Sequence, residues 1–157
     1  IAATNKAYVP LLFGAKGFSF APAPTDANDE YIKLFQSIYA AAQPTQTFDN
    51  NVVAGMSNAF VAVQALQAAG SNLTRAGLIK TIEAKGASFA NPFLTPLGYS
   101  ATAHVGATGY WIGTYDPTGA LKPDGGKYTV YTTDSGTGPV VESTYKRPAM
   151  PAKGLPN

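Results

Sequence analysis

The side chains able to attack a carbon, move a proton or hold a metal are few. The chain has one histidine, His104, and no cysteine. Without cysteine there is no thiol nucleophile, no thiolate zinc ligand and no disulfide. A cysteine-free chain suits either redox compartment. A hydrolase would need His104 to activate a hydroxyl, with Ser100 as the candidate, and an acid to orient the ring. No Gly-x-Ser-x-Gly elbow is present. Metal binding would need further ligands at ordered spacing, and none flank His104. The histidine reads as a structural or surface residue. No catalytic residue, metal site or cofactor is expected.

Composition narrows the partners. Of 157 residues, 45% are hydrophobic and 13% charged, which is globular rather than disordered. The net charge of +2 is spread along the chain, and the only basic pair is Lys146-Arg147. Nucleic acid needs a concentrated basic patch and is set aside. No apolar run reaches the ~20 residues of a membrane helix. The chain starts at Ile1 with neither an initiator Met nor a signal segment, so upstream residues are expected to be missing.

The elements that would position a site follow from periodicity. Gly14 and Gly17 bracket a turn, Gly17 to Phe20 is extended, and Ala21-Pro22-Ala23-Pro24 disfavours helix and reads as a crossing segment. Asp26 is the expected N-cap of a helix with Ile32, Phe35 and Tyr39 on one face; Pro44 ends it. A long helix is expected over about Asn51 to Ala69, with Val52, Met56, Ala59, Phe60, Val63 and Leu66 as its apolar face and Gly70 as its C-terminal stop. Thr74 caps the next, with Leu73 and Leu78 as a hydrophobic staple, an inner face of Leu78, Ile79 and Ile82, and Gly86 as the stop. Asn72-Leu73-Thr74 matches a glycosylation sequon but reads as that cap. Residues 87–109 are too broken by Pro and Gly for helix, and Tyr110 to Tyr115, Tyr128 to Thr133 and Val140-Val141 read as strands. Asp116 to Gly119 and Asp124 to Gly126 are turns. Trp111 and its Tyr neighbours fit strand-core packing or, less simply, an aromatic wall. The tail from Lys146 to Asn157 is expected to be extended or disordered. The order suits the back half of an α/β protein, whose capped helices require a sheet that this chain hardly supplies.

The succession Gly14-Ala15-Lys16-Gly17-Phe18-Ser19-Phe20-Ala21-Pro22, then Asp26 to Tyr39, then Val61 through Ala69-Gly70 to Leu73-Thr74-Arg75-Ala76-Gly77-Leu78, then His104 in a loop and Tyr110 to Leu121, resembles one family. It is similar to the C-terminal half of the leucine/isoleucine/valine-binding group of periplasmic solute-binding proteins, which includes amide and urea receptors. Lys16 stands where that group commonly has Glu, and residues 122–145 have no counterpart in it. The resemblance implies a periplasmic binding protein type I fold, an α/β two-lobed flytrap of which this is the C-terminal portion only. Residues 1–20 and 110–157 would belong to the C-terminal lobe. Residues 21–109 would be the returning part of the N-terminal lobe, with crossings near Ala21 and Gly109.

The implied function is extracytoplasmic capture of a small polar solute, such as a branched-chain amino acid or amide, for the permease of an ABC transporter. Implied partners are that ligand, the permease and the missing N-terminal half, with no enzyme activity. In this half the usual contributor to the ligand is the loop Phe48 to Val53, so Asn51 is the first candidate contact and Asn50 the next. The helix start there would also offer N–H groups to an anion. Simple capping by Asp49 and Asn50 stays open. A sensor domain of the same fold and a Ser100/His104 hydrolase are the alternatives.

Overall fold

The computed structural model describes residues 6–133 and 138–152. The ends of the expected 1–20 and 110–157 segments, residues 1–5 and 153–157, lie outside the described residues, as do 134–137.

The chain enters through a 3₁₀ turn, Lys6–Tyr8, and a short helix, α1 (Val9–Leu12), with Pro10 in the first turn, where no N–H is needed. Gly14, at φ 80°, turns it into β1 (Lys16–Ser19). Three longer helices follow. α2 (Glu30–Ala42) is capped by Asp29 and not by Asp26. Asp29 Oδ1 accepts the N–H groups of Tyr31 and Ile32 at 3.0 and 3.1 Å, whereas Asp26 holds the preceding turn through Asn28 N–H. α3 (Asn50–Ala69) is capped by Asp49 and ends at Gly70, φ 79°. α4 (Arg75–Lys85) starts at Thr74, whose hydroxyl accepts Gly77 N–H at 3.0 Å, and ends at Gly86.

The buried side of α3 is rotated from the expected one. It is Val53, Ser57, Phe60, Gln64 and Ala65. Val63 and Leu66, expected inside, are 41% and 46% exposed, and Ala59 is exposed too. Gln64 explains the choice: its side-chain amide accepts Ala90 N–H at 3.0 Å and donates back to the Ala90 carbonyl. This pairs a buried amide with an irregular backbone that has no strand partner. By length and composition α3 is also apolar enough to cross a membrane, contrary to the sequence expectation. In this fold it instead packs Val53 and Ala65 with Ala21, Ile32, Phe89, Phe93 and Leu97. Ile79 of α4 and the staple residue Leu73 just before it are likewise exposed.

The expected loop after α4 contains a hairpin, β2 (Leu97–Ser100) and β3 (Ala103–Ala107), so His104 lies in a strand. The main sheet centres on β4 (Gly109–Tyr115), flanked by β1 on one edge and by β5 (Leu121–Pro123) and β6 (Val130–Thr132) on the other. β7 (Val141–Glu142) lies outside β6. The fold class is α/β, yet every pairing among the described strands is antiparallel. The helices therefore bury their inner faces on one another and on residues 89–97 rather than on a parallel sheet.

The tail is ordered as far as it is described. Tyr145 accepts a hydrogen bond from Asn91 Nδ2 at 3.1 Å, and Met150 packs on the Tyr31, Phe35 and Phe60 cluster. Arg147 donates to the Pro92 carbonyl at 2.8 Å, pairs with Asp29 Oδ2 and lies 4.9 Å from the centre of the Tyr31 ring. Asp29 is buried and Arg147 largely so. Removing one partner of such a pair strands the other charge. In the intact protein Arg147→Ala should therefore cost about 3 kcal/mol, read as a lower urea midpoint with unchanged slope.

Candidate functional site

A groove of about 350 Å³ opens between the β1–β4 sheet and the start of α3. Its walls come from four places in the chain: Phe18 and Ser19 of β1, Ala23 to Thr25 of the crossing segment, Thr47 to Asn50 at the head of α3, and Trp111 and Tyr115 of β4 with the turn Thr118 to Leu121.

The crossing segment is held by its carbonyls. Pro22 and Pro24 have no N–H, so this stretch offers acceptors more than donors. Four carbonyls here, those of Phe20, Ala21, Ala23 and Pro24, have donors. Leu94 N–H donates to the Phe20 carbonyl at 2.8 Å, Trp111 Nε1 to Ala21 at 2.9 Å, Asp26 N–H to Ala23 at 2.9 Å and Gln36 Nε2 to Pro24 at 2.8 Å. The Ala23 N–H donates to Tyr128 Oη at 3.0 Å, and Tyr128 donates to Asp26 Oδ2 at 3.0 Å. Tyr128 also meets Trp111 edge to face, with ring centres 5.0 Å apart. Burial, with Asp26 adding to it against the Ala23 hydrogen bond, pushes the Tyr128 phenol up to about 12. Tyr31 is pushed to about 12 as well, chiefly by burial, although the Arg147 charge opposes the shift.

Two glycines shape the sheet side. A Cβ at Gly17 would sit 2.9 Å from the Tyr115 ring, and one at Gly113 would strike the Lys122 carbonyl at 2.2 Å. Their absence of side chain lets Tyr115 lie over β1 and lets β5 close on β4. The turn is built by Asp116, whose Oδ1 accepts from Thr118 Oγ1 and from the N–H groups of Thr118 and Ala120. The Thr118 hydroxyl is the main cause that holds the Asp116 carboxyl below its usual range.

At the helix side, Asp49 Oδ1 accepts Asn51 and Val52 N–H at 2.9 and 3.0 Å. Those two N–H groups are therefore taken by the Asp49 cap, the alternative that the sequence left open, and are not free for an anion. Asn50 lines the groove; Asn51, also exposed, does not. The sequence reading missed Phe18, Tyr115 and the 118–121 turn as groove walls. The signals were the Gly-Phe-Ser-Phe strand and the Asp-Pro-Thr-Gly turn, which nothing local places opposite α3. Trp111 is 1% exposed and so forms the groove's floor as well as core.

The residues of the hydrolase alternative are engaged otherwise. Ser100 Oγ accepts the Ala103 N–H at 3.0 Å in the β2–β3 turn, and His104 Nε2 lies 2.9 Å from Glu83 on α4. Among the described residues no group of three or more His, Asp or Glu gathers as a metal site.

A family model described as periplasmic binding protein matches residues 5–121. No curated protein and no solved structure gives a significant match.

The phenols give a pH test. Unfolded tyrosine titrates near 10, and the folded Tyr31 and Tyr128 hold their protons to about 12. Across that window the unfolded chain has lost protons that the folded one retains, so stability falls as pH rises. Urea midpoints of the intact protein should be level with respect to these groups below about pH 10 and drop above it. Tyr128→Phe should lower the midpoint at neutral pH and flatten the alkaline drop; an unaltered drop would remove Tyr128 from its cause.

Proposed function

Because the chain belongs to the periplasmic binding protein family, whose members bind solutes, generally without catalysis and outside the cytoplasm, we propose that this groove captures a small polar solute for an ABC transporter permease. The observation that carries the reading is the groove itself. It has aromatic walls from Phe48, Trp111 and Tyr115, with open hydrogen-bonding groups on Thr25, Thr47 and Asn50. That mix, at about 350 Å³, is the composition of a small-molecule site. We assign the ligand contact to Asn50, with Asn51 next to it as the alternative, and no catalytic role to Ser100 or His104. A branched-chain amino acid or an amide is the solute class expected.

The division into lobes follows the same reading, with residues 1–20 and 110–157 in one lobe and 21–109 in the other. β1 pairing with β4, and Phe20–Pro24 lying against residues 94 and 111, support it. The exposed Val63, Leu66, Leu73 and Ile79 on α3 and α4 and beside them, and Phe18, Leu11 and Phe13 on the sheet side, support a further polypeptide segment packed on this chain. That segment is proposed to be the N-terminal half of the same binding protein.

Calorimetry of the intact protein against branched-chain amino acids, aliphatic amides, urea and aromatic amino acids should show binding by at least one. The single tryptophan, Trp111, should report it by a change in emission. Asn50→Ala should weaken that binding by about 1 kcal/mol, the worth of one hydrogen bond. Heat from none of these solutes would sink the transport reading. Residues 1–157 expressed alone should aggregate or melt without cooperativity; a cooperative transition from a soluble monomer would overturn the proposed partner segment.

A further inference from the structure

The C-terminal segment binds both sides of the proposed lobe division. β7 pairs with β6, and Ser143 N–H donates to the Val130 carbonyl at 2.8 Å, so the chain belongs to the main sheet as far as Ser143. Beyond it the chain is extended, with Tyr145 and Arg147 half-buried and Thr144, Lys146 and Pro148 exposed. The half-buried side chains land on the helical part. Asn91 Nδ2 donates to Tyr145 Oη at 3.1 Å, Arg147 pairs with Asp29 and donates to the Pro92 carbonyl, and Met150 packs on Tyr31, Phe35 and Phe60. All of this lies beyond residue 121, where the family match ends. The landing points flank the crossing segment. Asp29 follows it closely, and Leu94, just past Pro92, donates to the Phe20 carbonyl at 2.8 Å. Rotation of one lobe against the other about Ala21 and Gly109 would therefore pull Arg147 off Asp29 and Pro92. An Arg–carboxylate contact is directional and, once parted, leaves a buried charge unpaired. Such a contact favours one lobe arrangement over the others.

Resting on that lobe division, we propose that residues 143–150 are a strap that holds the two lobes in the arrangement in which the groove is formed. Arg147 is a positioning residue. It lies outside the groove lining and acts on a solute only through how often the two walls face each other. A protein whose binding-competent arrangement is populated only in part binds more weakly by that fraction.

The test is the distance between the lobes in the intact protein without solute. Spin labels at Ser71→Cys and Lys127→Cys, both exposed and one in each proposed lobe, should give one main distance. Arg147→Ala and Asp29→Asn should each add a second distance population; the Asn keeps the α2 cap while removing the charge. Tyr145→Phe removes only the Asn91 hydrogen bond and should add a smaller share of the same population. It decides alone if the charge variants do not fold. A lower melting temperature with an unaltered distance would make the tail a stabiliser only and overturn the proposal. L-leucine, acetamide and urea separate the strap from the solute reading. Whichever of them binds should draw the second population back to the first. If one of them shifts the wild-type distance while the variants leave it unaltered, the lobes stand and the strap falls. If none binds, the solute reading loses support, and the solute-free distances still decide the strap.

Discussion

The Asp29 carboxylate ties the head of α2 to the C-terminal tail. One oxygen caps α2, and the other takes the Arg147 guanidinium, which also reaches the Pro92 carbonyl. Segments near residues 29, 92 and 147 thus converge on a single buried charge. A buried carboxylate without a cation would be costly, and a cap without the tail would leave that charge half satisfied. The arrangement orders the tail and seats Met150 on the aromatic cluster of Tyr31, Phe35 and Phe60. It also fixes where α2 begins, and with it the crossing segment immediately before.

From that fixed point the groove inherits its rigidity. Two prolines remove N–H groups from the crossing segment, and its carbonyls are met by donors from Leu94, Trp111, Asp26 and Gln36. The same Trp111 that ties the segment down is the floor of the groove. A solute entering it would meet walls already set by the fold, which lowers the ordering cost of binding. Asp49 at the head of α3 is held too, since one of its oxygens accepts the Asn51 and Val52 N–H groups.

The long helix α3 shows how a site-bearing element can be over-supplied with apolar surface. One side packs within the chain through Val53, Phe60 and the Gln64–Ala90 amide pair, and another presents Val63 and Leu66 to the outside. A helix apolar all round belongs inside a larger body. This is the surface on which the proposed N-terminal segment would rest, and it lies away from the groove's polar head at Asp49 and Asn50.

Local chemistry was readable from the residues alone. Gly70, Thr74 and Gly86 bound the helices where their types predict, and Asp116 to Gly119 turns as its spacing requires. These features depend on neighbours within a few positions, so a linear reading captures them. The family was readable too, because an ordered series of such local signals survives in sequence. Three things were not: which side of α3 is buried, which aspartate caps α2, and which residues face the groove. In α3 several sides are apolar, and the choice fell to Gln64, whose partner is 26 residues away. Asp29 outcompeted Asp26 because Arg147, 118 positions on, needed a buried counter-charge. Ser19, Asp49 and Tyr115 came to line one groove because β1 pairs with β4 and the crossing segment is strapped to Trp111. Such contacts are long-range, and their energies arise only when distant segments are brought out of water together.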